Sequence, residues 1–224
     1  MRKLRLIIIA VLAFQLWIQS ANAQIIASKE EREALKMVSE VSKLMKEGKD
    51  VEAEKLLLEA NEVYPLPYNL GGLAEKKAKE GDLNGANKLW DIAFIRLKKY
   101  GLTNKNFNRL LIKDTYINMY VNSMQMNSTY NNAAMVIKIA KNYLSEPFVK
   151  SNYYTDAILN MAALSSFTLE DVESMKYFYN AAVLHKSERE IFTLNVYLLI
   201  ADKKYDEAIS ILNVAADKGA GFLY

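Results

Sequence analysis

Few side chains in this 224-residue chain are equipped for chemistry. His185 is the only histidine and cysteine is absent, so the His/Cys constellations that hold zinc cannot be assembled. A single imidazole beside Lys186, near a predicted helix end, reads as a cation complementing the helix dipole. No H-E-x-x-H, G-x-S-x-G or P-loop pattern occurs. Gly71-Gly72 lacks a third glycine and a preceding strand, so it reads as a place where helices approach closely rather than a phosphate cradle. The carboxylate pairs Glu30-Glu31, Glu170-Asp171 and Asp206-Glu207 fall near predicted helix starts, where negative charge is favourable. These observations assign no catalytic residue, metal ligand or cofactor, and the expectation is a protein that is not an enzyme.

Amides and tyrosines are the distinctive side chains. Between Thr103 and Asn160 stand eleven asparagines and six tyrosines. Thr115, Asn118, Asn122 and Gln125 are spaced to share one helical face, and Ile117, Val121 and Met124 share another. Amides both donate and accept hydrogen bonds, as an extended peptide backbone requires. Asn127-Ser128-Thr129 also matches the N-glycosylation acceptor pattern.

The N-terminus addresses the compartment. Arg2, Lys3 and Arg5 precede the apolar run Leu6–Ile18, broken only by Gln15, and Ala21-Asn22-Ala23 follows. That is the layout of a secretory signal peptide over 1–23, cut near Ala23. As a helix the run reaches roughly 20 Å, short of the ~30 Å hydrocarbon core. Lys and Arg total 29 against 26 Asp and Glu; losing the leader's three basic residues leaves 26 of each in 24–224. The basic pI near 8.8 therefore reflects the leader, and nothing in the charge points to nucleic acid. An exported chain without cysteine has no disulfides and relies on packing.

The elements that position these residues follow a repeat. A small residue, a large apolar one four later and an alanine three after that recur as Ala53/Leu57/Ala60, Ala86/Trp90/Ala93, Ala133/Ile137/Ala140, Ser174/Phe178/Ala181 and Ala208/Leu212/Ala215. Each set lies on one helical face. Apolar residues stand sixteen and twelve positions upstream, as in Leu70 and Ala74 before Ala86, so each unit predicts a first helix, a turn and a second helix. The turns read Gly48-Lys49-Asp50, Gly81-Asp82-Leu83-Asn84 and Lys203-Lys204-Tyr205-Asp206, with Ser128 and Leu169 where the third and fourth units lack glycine. Asp50, Asn84, Thr129 and Asp206 are the expected caps or first-turn acceptors. The small residues are 33, 47, 41 and 34 apart.

Gly81-Asp82-Leu83-x-x-Ala86-x-x-x-Trp90-x-x-Ala93 and Tyr205-Asp206-Glu207-Ala208-x-x-x-Leu212-x-x-Ala215 resemble the turn and second helix of the tetratricopeptide repeat (TPR) family, whose period is near 34 residues. Pro65 stands where the family's closing proline would. The resemblance covers nearly all of 29–218. It implies an all-α fold without sheet, about five TPR-like helical hairpins in a right-handed superhelix (an α-solenoid), filling one repeat domain over 24–224. It also implies that first helices line a concave groove. Asn118, Asn122, Gln125, Asn160 and Tyr197 are then the partner-binding residues, and a protein or peptide is the partner. The family's carboxylate-clamp members need cations where this chain has Glu190 and Leu194, which argues against that mode.

The functional expectation is an exported scaffold for protein–protein interaction in the cell envelope, periplasmic or extracellular, without a transmembrane segment after leader cleavage. A SusD-like glycan-binding role is the first rival and an unrecognised hydrolase the second. The terminal Gly219-Ala220-Gly221-Phe222-Leu223-Tyr224 is expected either to fold back on the last hairpin or to mediate self-association.

Overall fold

The computed structural model describes residues 28–103 and 109–217. Among the described residues there are ten helices and no strand: α1 (Lys29–Lys46), α2 (Asp50–Val63), α3 (Pro67–Lys79), α4 (Leu83–Thr103), α5 (Arg109–Thr129), α6 (Ala133–Leu144), α7 (Tyr153–Thr168), α8 (Val172–His185), α9 (Glu188–Ala201) and α10 (Tyr205–Asp217). The expected all-α class is what the chain adopts. None of these helices is long and apolar enough to cross a membrane. The segment 1–23 read as a signal peptide and the C-terminal hexapeptide lie outside the described residues.

The chain divides into two compact units, one ending at Leu66 and the other beginning at Pro67. In the first, Ser28 caps α1 by accepting from the Glu31 N–H at 3.1 Å, with acids in the first turn and lysines in the last, as the helix dipole favours. Helix α2 packs on α1 and buries Ala53, Leu57 and Ala60. It stops at an extended Tyr64 ahead of Pro65, where the Asn61 carbonyl accepts from the Leu66 N–H at 2.9 Å.

In the second unit each helix from α3 to α10 packs on the next in sequence. The alternate helices α3, α5, α7 and α9 also pack on one another in that order. The α3–α4 pair shows why small residues matter. Trp90 is 4 % exposed, and its indole lies so close to Gly71 that a Cβ there would stand 2.6 Å from Trp90 Cη2. Gly71 is therefore the close approach expected of the glycine pair. Gly72 faces open space.

One turn geometry recurs between every pair. Gly48, Gly81, Asn131, Glu170 and Lys203 all have positive φ, between 53° and 91°. The N–H of each bonds the carbonyl three residues back. The next residue's N–H bonds the carbonyl five back, as in Asp82 N to Lys77 O at 2.9 Å and Asn132 N to Asn127 O at 2.8 Å. This pair of hydrogen bonds closes a helix C-terminus through a left-handed residue. Lys186 makes a sixth such turn between α8 and α9.

These turns correct the sequence reading in three places. The left-handed positions of the third and fourth pairs are Asn131 and Glu170, not Ser128 and Leu169. Asp82, not Asn84, caps α4, accepting from the Gly85 N–H at 2.7 Å. Thr129 still belongs to α5 and donates back to the Gln125 carbonyl. In the third repeat Ile137 and Ala140 are buried as expected, together with Val136 and Tyr143, while Ala133 stays half-exposed. Ala181 is likewise half-exposed, with Ala182 buried in its stead.

The middle of the chain is packed through aromatic side chains. Phe94, Tyr116, Tyr120, Tyr143 and Phe148 form one cluster, with centroids 4.6 Å apart for Phe94–Tyr120 and 5.4 Å for Tyr120–Tyr143. The Tyr120 hydroxyl donates to Glu146 at 3.0 Å, and Tyr143 shares a 3.0 Å bond with Thr155. These contacts tie the connection 145–152 to the core. Burial pushes the Tyr116 and Tyr120 phenols well above their ordinary range, so they serve as neutral packing groups.

Candidate functional site

The amides divide between two roles. Asn127 is 0 % exposed and forms a reciprocal pair with Asn87, donating at 2.8 Å and accepting at 3.1 Å. It also donates to the Ser123 carbonyl and accepts from Asn132. A fully satisfied buried amide is a core element. Buried and paired at every polar atom, it does not present the acceptor pattern at 127–129 to solvent.

Of the five residues expected to form a groove, three line cavities. Gln125 on α5 and Asn160 on α7 line a cleft of about 750 Å³ whose other wall is the start of α9. Asn160 also lines a second cavity of about 340 Å³ with Tyr197 and Phe192 of α9 and Leu212 of α10. Asn118 is half-buried and Asn122 exposed on the same side of α5 as Gln125, but they line neither cavity. As expected, Ile117 and Met124 face the core, but Val121, expected with them, is only half-buried and lines the larger cleft. Tyr197 stacks on Phe167, centroids 4.2 Å apart at 18°, and burial raises its phenol pKa.

The larger cleft contains groups that sequence reasoning did not select. Asp156 in the first turn of α7 and Glu188, Arg189 and Glu190 in the first turn of α9 all line it. Glu190 is only 4 % exposed. Burial pushes its carboxyl above the usual carboxylate range; its own backbone N–H opposes this, the Asp156 charge adds to it, and Arg189 and the Asn160 amide work against it. Asp156 is held in place by the Ser187 hydroxyl, which donates to it across the α8–α9 turn. Tyr153, 79 % exposed, and Tyr154 stand edge to face at 5.8 Å on the rim. The one available signal was the Tyr153-Tyr154 doublet after a helix-capping Asn152. The pairing of Asp156 with Ser187 and Glu190, 31 and 34 positions later, has no local signature.

Chemically the cleft offers neutral amide donors and acceptors, carboxyls that accept, a guanidinium that donates and two phenol rings. Such a surface suits a ligand with many polar groups and flat apolar faces. His185 ends α8 in its last turn. No family model, curated protein or solved structure matches this chain.

Proposed function

We propose that this chain is an exported TPR-like scaffold whose helix pairs stack as a right-handed superhelix and whose first helices bind an extended segment of a partner protein in the cell envelope. The observation that carries this reading is the row α3, α5, α7, α9, each packed on the last, with polar cavities opening along α5, α7 and α9. The recurrent left-handed turn also supports a repeat, since it is the same at positions with and without glycine. Export rests on the leader 1–23, and N-terminal sequencing of the mature product tests it by a start near Gln24.

The binding residues are Asn118, Asn122, Gln125, Asn160 and Tyr197, with Asn160 central because it lines both cavities. The 24–224 segment is formally neutral, so binding depends weakly on salt, unlike phosphate-directed association. The partner is first recovered by pull-down from envelope extract with the mature chain. Asn160→Ala then weakens that partner by about 1–3 kcal/mol, the loss for an amide paired with a buried group. The Asn118→Ala/Asn122→Ala double variant weakens it as well if the segment runs along the whole of α5. Unchanged affinity in both, with circular dichroism intact, moves the binding surface off the first helices.

A second reading is a saccharide ligand. The rim tyrosines Tyr153 and Tyr154 above amides and carboxyls favour it, since sugar rings stack on aromatic faces while their hydroxyls pair with polar groups. Tyr153→Ala lowers binding on a glycan array under this reading. Under the protein-segment reading alone, the array shows no binding to lose.

A further inference from the structure

The larger cleft encloses two carboxyls and pairs neither with a cation. Glu190 of α9 is 4 % exposed and Asp156 of α7 half-buried, and both line it. Asp156 Oδ1 accepts from the Ser187 hydroxyl, while its Oδ2 has no hydrogen-bond partner among the described residues. Neither carboxyl forms an ion pair with a described residue. Lys186 and Arg189 line the same cleft but are exposed. The Asn160 amide favours the Glu190 charge without bringing one of its own. A carboxyl withdrawn from water with no positive partner is costly. Burial above all, with the Asp156 charge adding to it, accordingly raises the Glu190 pKa.

We propose that this cleft receives an arginine side chain of the partner segment, its guanidinium between Asp156 and Glu190 and its stem against the ring of Tyr153. This rests on the protein-segment reading and names what the segment carries at this point. Gln125 of α5 and Asn160 of α7 add amide carbonyls to the lining, so acceptors stand on α5, α7 and α9. A guanidinium suits them, because its donors form a flat fork that reaches separate acceptors and it accepts nothing itself. An ammonium is a point charge and more strongly hydrated. Tyr153, 79 % exposed, and Tyr154 stand at the rim, where a cation or its apolar stem lies well on a ring face. A volume of about 750 Å³ admits the side chain. One enclosed pair is screened little by salt, in keeping with the weak salt dependence expected of the segment.

The probe is the blocked peptide acetyl-Ala-Ala-Arg-Ala-Ala-amide, compared with its lysine counterpart and with its citrulline counterpart, which keeps the shape and loses the charge. Titration into the mature chain is followed by the backbone amide resonances of residues 153–160 and 187–190. The arginine peptide is expected to move them and to bind about tenfold more tightly than the citrulline peptide. Glu190→Gln and Asp156→Asn, each with circular dichroism unchanged, are expected to weaken the arginine peptide about tenfold and to leave the citrulline peptide as it was. Resonances that stay still, citrulline or lysine binding as tightly as arginine, or full affinity in both carboxyl variants overturns the proposal. The partner recovered by pull-down separates the two readings. Loss of that partner on Asn160→Ala, with none on Glu190→Gln or Asp156→Asn, overturns the arginine and leaves the first-helix reading standing. No loss in any of the three overturns the arginine and counts against the first-helix reading as well.

Discussion

The α3–α4 and α9–α10 pairs match the same sequence pattern about equally well, yet they differ in what surrounds them. In the first, Trp90 sits in the notch left by Gly71, and α5 packs on α4. Asn87 of α4 is tied to Asn127 of α5 by two amide bonds. In the last, only Ala208 and Ala215 of α10 are buried. A repeat pattern states which face of a helix is ready for a neighbour. Whether the neighbour exists, and how closely it approaches, depends on the rest of the chain.

The largest expected effect falls on the closed pair. Trp90→Ala destabilises by about 3–5 kcal/mol, the range for aromatic deletions from a core, whereas Leu212→Ala costs no more than about 1 kcal/mol because it is already part-exposed. Chemical denaturation of both variants measures the contrast, and similar losses would erase the distinction drawn between the pairs. Gly71→Ala sharpens it, since the indole must move to admit the methyl, and the Trp90 emission shifts toward that of a solvated ring.

The amide bridge comes next. Asn127→Ala removes a fully buried amide on which Asn87 and Asn132 converge and costs about 1–3 kcal/mol. Leucine, which restores bulk but no hydrogen bonds, does not recover the loss. A thermal midpoint unchanged in the alanine variant would show that the bridge is dispensable.

The turns give a smaller, signed effect. Gly81 and Lys203 occupy the same left-handed position, which costs a side-chain-bearing residue about 1 kcal/mol relative to glycine. Lys203→Gly therefore stabilises the α9–α10 pair, and Gly81→Lys destabilises the α3–α4 pair by a similar amount. Two midpoints moving in the same direction would contradict a common turn geometry.

Least in size is the pH response of α9. Because burial raises the Glu190 carboxyl pKa, the fold favours its protonated form. Stability from this group is fully present below the ordinary carboxylate value and falls as pH climbs through the raised one. Glu190→Gln lacks that loss, so the variant equals or exceeds the parent chain at pH 7, and its advantage disappears near pH 4, around the ordinary glutamate value. A constant difference at both pH values would mean that Glu190 is as readily ionised in the fold as outside it.

Much of the architecture was legible in the residues because helical faces are local. The i, i+4, i+7 spacing depends only on 3.6 residues per turn, so it located Ala53, Leu57, Trp90 and Phe178 in the core. Gly48 and Gly81 announced their turns because glycine alone adopts that backbone freely. Asn131 and Glu170 did not announce theirs. Hydrogen bonds on both sides hold Glu170 in a conformation its type does not prefer, and Asn131, which tolerates it better, stands three residues after the Ser128 at which the turn was expected.

The candidate site was legible only in part, for the same reason. Sequence could say that Asn118, Asn122, Gln125 and Asn160 stand on polar faces of first helices. It could not separate the surface amide Gln125 from the buried Asn127 two residues on, because that depends on Asn87 arriving from forty positions away. Nor could it bring Asp156, Ser187 and Glu190 together, since their contacts join α7 to α9 across an intervening helix. Composition and periodicity determined the helices, their apolar faces and the absence of disulfides. Tertiary structure alone decided which polar groups were sealed inside, which opened on a cleft, and how much of the α10 apolar face is buried among the described residues, because each is a relation between segments whose meeting no local spacing records.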